Sequence, residues 1–121
     1  MPPQDPVPKA SREFEYGANA GETLHLKGIF QTGEVWLNGN PLSPEKSLQV
    51  INHNPKGFSW SYGGSGPAQL ALAILLETLP GKKAAAFHHD FKWKFIATLP
   101  EKDFETELDV SGWLSEAVST G

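Results

Sequence analysis

Phe58-Ser59-Trp60-Ser61-Tyr62-Gly63-Gly64-Ser65-Gly66-Pro67-Ala68-Gln69-Leu70-Ala71-Leu72-Ala73-Ile74-Leu75-Leu76-Glu77 is the stretch whose reading decides the fold. Its first five residues alternate aromatic with small, the period of a strand with one aromatic face. Gly-Gly-Ser-Gly then turns the chain. Pro67 suits a first helical position, with Gly66 or Ser65 as the cap. The segment beyond it is apolar nearly all the way round, which predicts a central, buried helix over about residues 67–79, ended by Pro80-Gly81.

Upstream, Leu24, Leu26 and Gly28 alternate with His25 and Lys27. After the turn Gln31-Thr32-Gly33, Glu34-Val35-Trp36-Leu37 runs into Asn38-Gly39, two residues that tolerate positive φ and suit a tight hairpin. Pro41 limits further central pairing. Leu48-Gln49-Val50-Ile51 reads as a third strand that stops at the polar loop Asn52-His53-Asn54-Pro55. Downstream, Lys82 to Leu99 has two readings. Phe91, Trp93, Phe95 and Ala97 alternate like a strand, whereas Ala84, Phe87, Phe91, Phe95 and Leu99 fall at helical spacing and three successive alanines favour helix. We take the helix, over about residues 82–99. Phe104, Thr106, Leu108 and Val110 alternate with Glu105, Glu107 and Asp109, a strand with an acidic face. Ser111 to Val118 reads as a short closing helix held by Trp113, Leu114 and Val118. The expected architecture is α+β: a small antiparallel sheet of four to five strands packed on a central buried helix, with a second helix and a short C-terminal one.

The chain has 121 residues, which suits one domain over residues 23–121. Residues 1–22, with prolines at 2, 3, 6 and 8, read as a disordered or loosely docked tail anchored by Phe14 and Tyr16. The absence of cysteine excludes a disulfide scaffold or a thiolate zinc site. A formal charge of −4 argues against direct binding of nucleic-acid phosphate. Neither a signal peptide nor a membrane span is legible, because the apolar run Leu70 to Leu76 is too short to cross a bilayer. The default location is cytoplasmic.

The glycine loop is the first candidate site. A strand, a glycine turn and a helix start in succession leave backbone N–H groups unpaired and aimed outward, a preformed anion site helped by the helix dipole. Gly63, Gly64, Ser65 and Gly66 would supply amides, with the Ser65 hydroxyl and Gln69 orienting a ligand. Trp60 and Tyr62 would stack on it, and Asn52 and His53 would add loop contacts. The competing reading is structural: glycines also let a strand turn sharply and a buried helix pack closely. The loop lacks the lysine of a phosphate-binding Walker loop and the third glycine of a dinucleotide fingerprint. Pro67 stands where a nucleophile elbow around Ser65 needs glycine.

The remaining candidates are weaker. His88 and His89 are adjacent, so on a helix they diverge by about 100° and do not easily share a metal. No metal and no cofactor is expected. Asp103, Glu105, Glu107 and Asp109 would line one strand face about 6.7 Å apart, a spacing a DNA mimic could use; carboxylates also keep an exposed sheet face soluble. Trp93, with His89 and Ile96, would form a small second apolar face on its helix, suited to a dimer or to a host protein partner.

The run from Asn52-His53-Asn54-Pro55 through Gly57-Phe58, Trp60 and Tyr62-Gly63-Gly64-Ser65-Gly66-Pro67-Ala68-Gln69 to Leu75 resembles the signature of a family of small proteins of bacteria, phages and plasmids, known only as a domain of unknown function. Weaker similarity extends over about residues 24–115. Asn54 stands where serine is expected and Ser61 where glycine is usual. The resemblance brings no catalytic residues. It implies a prokaryotic or phage setting, in which small proteins of mobile elements serve as accessory or counter-defence factors. The expected function is a non-enzymatic binding module that takes an anionic small molecule or nucleotide at the glycine loop. The alternative is a factor that inhibits a host defence enzyme through the acidic strand or the Trp93 face.

Overall fold

A computed structural model describes residues 23–114. The chain divides into two units, residues 25–108 and residues 1–24 with 109–121. The expected N-terminal tail and the closing helix beyond residue 114 lie outside the described residues. In the smaller unit, residues 110–114 are helical. Asp109 Oδ1 there accepts the Ser111 hydroxyl at 3.2 Å.

In order, the elements are β1 (Leu24–Ile29), β2 (Glu34–Leu37), β3 (Asn40–Pro41), α1 (Glu45–Val50), α2 (Ser65–Leu76), α3 (Gly81–Phe91), a π-helical turn (Lys92–Ile96) and β4 (Phe104–Leu108). The four strands form one antiparallel sheet in the order β3-β2-β1-β4, so the fold is α+β as expected. Asn38 and Gly39 both take positive φ, 51° and 83°, the geometry a two-residue hairpin turn demands. The register that follows sets Leu26 opposite Leu37 and Gly28 opposite Val35. Pro41 ends a two-residue strand at the sheet edge, where the N–H it lacks is not needed.

Helix α2 is the centre of the core. Every residue from Gly66 to Leu76 is buried, as its unbroken apolarity predicts, although it starts and stops two to three residues earlier than expected. It packs against α1, α3 and the π turn. Trp60, on the loop before α2, fills the space over Gly28 with its ring edge-on to Phe104 at 5.0 Å. The indole Nε1 donates to the Lys102 carbonyl.

Two expected strands are not strands. Leu48 to Val50 lies in α1, a single six-residue helix whose chain turns extended at Ile51. Phe58–Tyr62 is irregular. Ser61, at φ 78°, sits in the left-handed region and breaks the alternation. Ser61 N–H instead donates to the Ile96 carbonyl, which ties this loop to the π turn. The helix expected over residues 82–99 divides into α3 and the π turn, where the Ala97 amide reaches back to the Lys92 carbonyl. Its buried face differs in part: Ala84 and Phe91 are buried as expected, joined by His88, Lys92 and Ile96, whereas Phe87, Phe95 and Leu99 are only half-buried. The π turn adds a residue to one turn of the helix, so the face that Ala84, His88 and Phe91 bury is continued by Ile96 and not by Phe95.

Candidate functional site

The glycine loop is built for close packing of side chains on backbone. A Cβ on Gly63 would clash with the Trp93 ring, one on Gly64 with the Tyr62 ring, and one on Gly66 with the Ser59 hydroxyl. The Ala68 amide is paired with the Gly64 carbonyl at 3.1 Å. The Trp93 and Tyr62 rings therefore fill the space beside the Gly63 and Gly64 α-carbons, which is why glycine stands at both positions. Ser65 remains exposed at the start of α2.

Gln69 is turned away from that loop. It is fully buried, and its amide has a partner for each of four hydrogen-bonding positions. Oε1 accepts the backbone N–H groups of His53 at 2.7 Å and Asn54 at 3.0 Å. Nε2 donates to Ser47 Oγ at 2.8 Å and to the Ile51 carbonyl at 3.0 Å. The Ser47 hydroxyl donates in turn to the Pro44 carbonyl at 2.7 Å. Gln69 is thus a clamp that binds the 51–54 loop and α1 to the central helix, not a ligand contact. Trp60 is likewise withdrawn, at 1% exposure, so its ring has no free face for stacking. Asn52 is exposed.

What the clamp positions is His53. His53 Nε2 lies 2.9 Å from His88 Nε2. His88 is buried, and its Nδ1 lies 2.7 Å from the Ala85 carbonyl. A carbonyl only accepts, so Nδ1 of His88 carries the proton and its Nε2 receives one from His53 in the neutral pair. His89 completes the group, its ring centroid 4.1 Å from that of His88 and 5.5 Å from that of His53. The adjacent histidines, expected to diverge, therefore meet: their Cα directions differ, but the imidazoles fold towards each other and His53 arrives from another segment.

Burial is the first cause lowering the pKa of His53, followed by the charges of His89 and Lys92. Burial also leads for His88; the hydrogen bond to Ala85 opposes it, and His89, His53 and Lys92 add to the lowering. A histidine held below its ordinary 6.5 in the fold binds fewer protons than in the unfolded chain at mildly acid pH. Stability is then full above about pH 6.5 and declines as pH falls through the folded values. Thermal denaturation in chelator-containing buffer should show Tm falling from pH 7 to pH 5, with a shallower fall in His53→Gln. An equal slope in the variant would refute this account.

Lys92 sits one turn beyond His88 on the same buried face. Only 6% of it is exposed. Its Nζ donates to the Gly63 carbonyl at 3.2 Å and lies 4.5 Å from the Trp93 ring centroid. Among the described residues no carboxylate pairs with it. Trp93, beside this ammonium group, is 59% exposed, and Tyr62, whose ring lies on Gly64, is 52% exposed. Trp93 does not share a face with Ile96, which is fully buried. The sequence signal that could have found Lys92 is the i, i+4 pair His88/Lys92, two polar residues on an otherwise apolar stripe.

The acidic row is shorter than expected. Asp103 Oδ1 accepts the Phe30 amide at 2.7 Å, and Asp109 takes the Ser111 hydroxyl. Glu105 and Glu107 lie beside His25, at 2.7 and 3.9 Å. A shallow depression lined by Phe30, Gln31, Glu101, Lys102 and Asp103 contains only one of the expected site residues, Asp103. No helix among the described residues is long and apolar enough to cross a membrane.

No curated protein and no solved structure matches the chain significantly. A sequence profile matches residues 26–116, a span that takes in all of the sheet but the first two residues of β1, the central helix, the Gln69 clamp, His53, His88, His89 and Lys92, and on that match the chain belongs to a family of unknown function (DUF6166).

Proposed function

We propose that the protein is a non-enzymatic binding module for a small anionic molecule, received at Lys92 rather than at the glycine amides. The observation that carries this reading is the buried Lys92 ammonium group with one carbonyl, one aromatic face and no carboxylate near it among the described residues. Buried charges are ordinarily paired. An anion would supply the missing partner, and the exposed Trp93 ring beside it suits a planar group such as a nucleobase. With a nucleotide signal as that anion, the module would act by sequestration in a bacterial cytoplasm. That is the accessory or counter-defence role implied by the resemblance of the 52–75 run.

Thermal shift and isothermal titration against inorganic phosphate, mononucleotides and cyclic dinucleotides test the proposal. At least one should raise Tm and release heat. Lys92→Met should fold with equal or higher Tm without ligand, since an apolar chain of similar shape replaces a lone buried charge, and should lose the ligand response. Silence from the whole panel, or a response that survives in Lys92→Met, would count decisively against it. The same exposed ring favours a second reading, a protein partner docked on the Trp93 face. In that case Trp93→Ala abolishes capture from host lysate while charge reversal at Glu105 and Glu107 does not.

A further inference from the structure

We propose that His53, His88 and His89 form a binding site for a late first-row divalent metal ion such as zinc. Each offers one ring nitrogen, and the three atoms lie within 4.8 Å of one another. Two nitrogens bound to one tetrahedral ion at roughly 2.0–2.1 Å stand about 3.3 Å apart. The 2.9 Å between His53 and His88 therefore has to open by only a few tenths of an ångström. His89 is exposed, so its ring turns inward without disturbing the core.

The surroundings favour the lone pairs. The bond from His88 Nδ1 to the Ala85 carbonyl fixes the tautomer that leaves Nε2 as a donor to metal, the supporting arrangement usual at histidine sites. The Gln69 clamp holds the backbone at His53. When metal enters, His53 moves its remaining proton to Nδ1, and the histidine–histidine hydrogen bond is exchanged for two metal–nitrogen bonds. Burial keeps His53 and His88 neutral at physiological pH, so few protons compete with the ion. An all-imidazole set selects zinc, copper, nickel or cobalt over magnesium or calcium. Three protein ligands leave a further position open to solvent or to an anion.

Lys92 works against a cation here, because its charge acts on both His53 and His88. Its Nζ is directed at the Gly63 carbonyl and the Trp93 ring. That opposition separates this site from the anion site: replacing Lys92 by Met removes anion binding but should leave metal binding as tight or tighter.

The test is calorimetric titration of the untagged full chain with zinc, with cobalt absorption as a second readout. One ion should bind per chain, with a Tm increase that magnesium does not give, and cobalt should develop the visible bands of low coordination number. His89→Ala, an exposed position that leaves folding intact, should weaken zinc binding by about tenfold or more, and so should His53→Gln. His25→Ala, on β1 beside Glu105, should bind as wild type. Absence of saturable zinc and cobalt binding overturns the proposal. So does wild-type affinity in His89→Ala, or loss of zinc affinity in His25→Ala or Lys92→Met; the histidine group is then a hydrogen-bonded cluster only.

Discussion

Gln69→Leu should lower folding stability by about 3–5 kcal/mol, the largest loss expected from any one polar side chain among the described residues. Leucine has nearly the right volume, so the effect isolates hydrogen bonding from packing. Four hydrogen bonds go at once: the amides of His53 and Asn54 and the Ile51 carbonyl lose the partner shown for them, and the Ser47 hydroxyl loses a donor while keeping its bond to the Pro44 carbonyl. A buried polar group left unsatisfied costs about 1–3 kcal/mol. Three of these bonds lie at the part-buried edge of the clamp, where water recovers some of the loss, and this keeps the sum below the simple total. Urea denaturation of the two proteins measures the difference. A loss under about 1 kcal/mol would show that the 51–54 loop is held by something else. Because Gln69 also sets the His53 backbone, the variant should lose the Nε2–Nε2 contact between His53 and His88.

Gly28→Ala should destabilise by about 2–3 kcal/mol, against the usual direction of that change. Alanine in place of glycine within a strand ordinarily gains about 0.5–1 kcal/mol. At residue 28, however, the new methyl would lie 2.5 Å from Phe104 Cε1 and 2.7 Å from Trp60 Cη2. Both rings are buried, and Trp60 is further fixed by its bond to the Lys102 carbonyl. Overpacking of this kind typically costs about 1–3 kcal/mol. Gly81→Ala is the matched control, since nothing lies within 4 Å of a methyl there, and it should be neutral or stabilising. Denaturation midpoints of the pair check the opposite signs. Equal effects at the two glycines would sink the explanation.

Both substitutions act on contacts between segments distant in sequence, and that is where reading the chain reached its limit. The hairpin was legible because Asn38-Gly39 carries its own backbone requirement. Helix α2 was legible because a solid apolar run after Gly-Gly-Ser-Gly-Pro has few other places to go than the core. Leu48 to Ile51 was misread because a six-residue helix is too short to display a helical period, and its apolar residues mimic a strand. The aromatic alternation of residues 58–62 was real, but the left-handed backbone at Ser61 sends Trp60 inward and Tyr62 outward without a strand.

Local chemistry, then, determined from the sequence alone that this is an α+β chain with a buried central helix, a tight hairpin and a glycine turn ahead of that helix. Only tertiary structure decided what the turn packs against, because the Trp93 and Tyr62 rings that lie on Gly63 and Gly64 leave no room for a side chain there. It also decided where the polar chemistry gathers. His53 reaches His88 across 35 positions, and Lys92 faces inward because the turn that carries it packs against α2. A helical wheel gives directions from one axis; the meeting of side chains from three segments depends on how those segments pack.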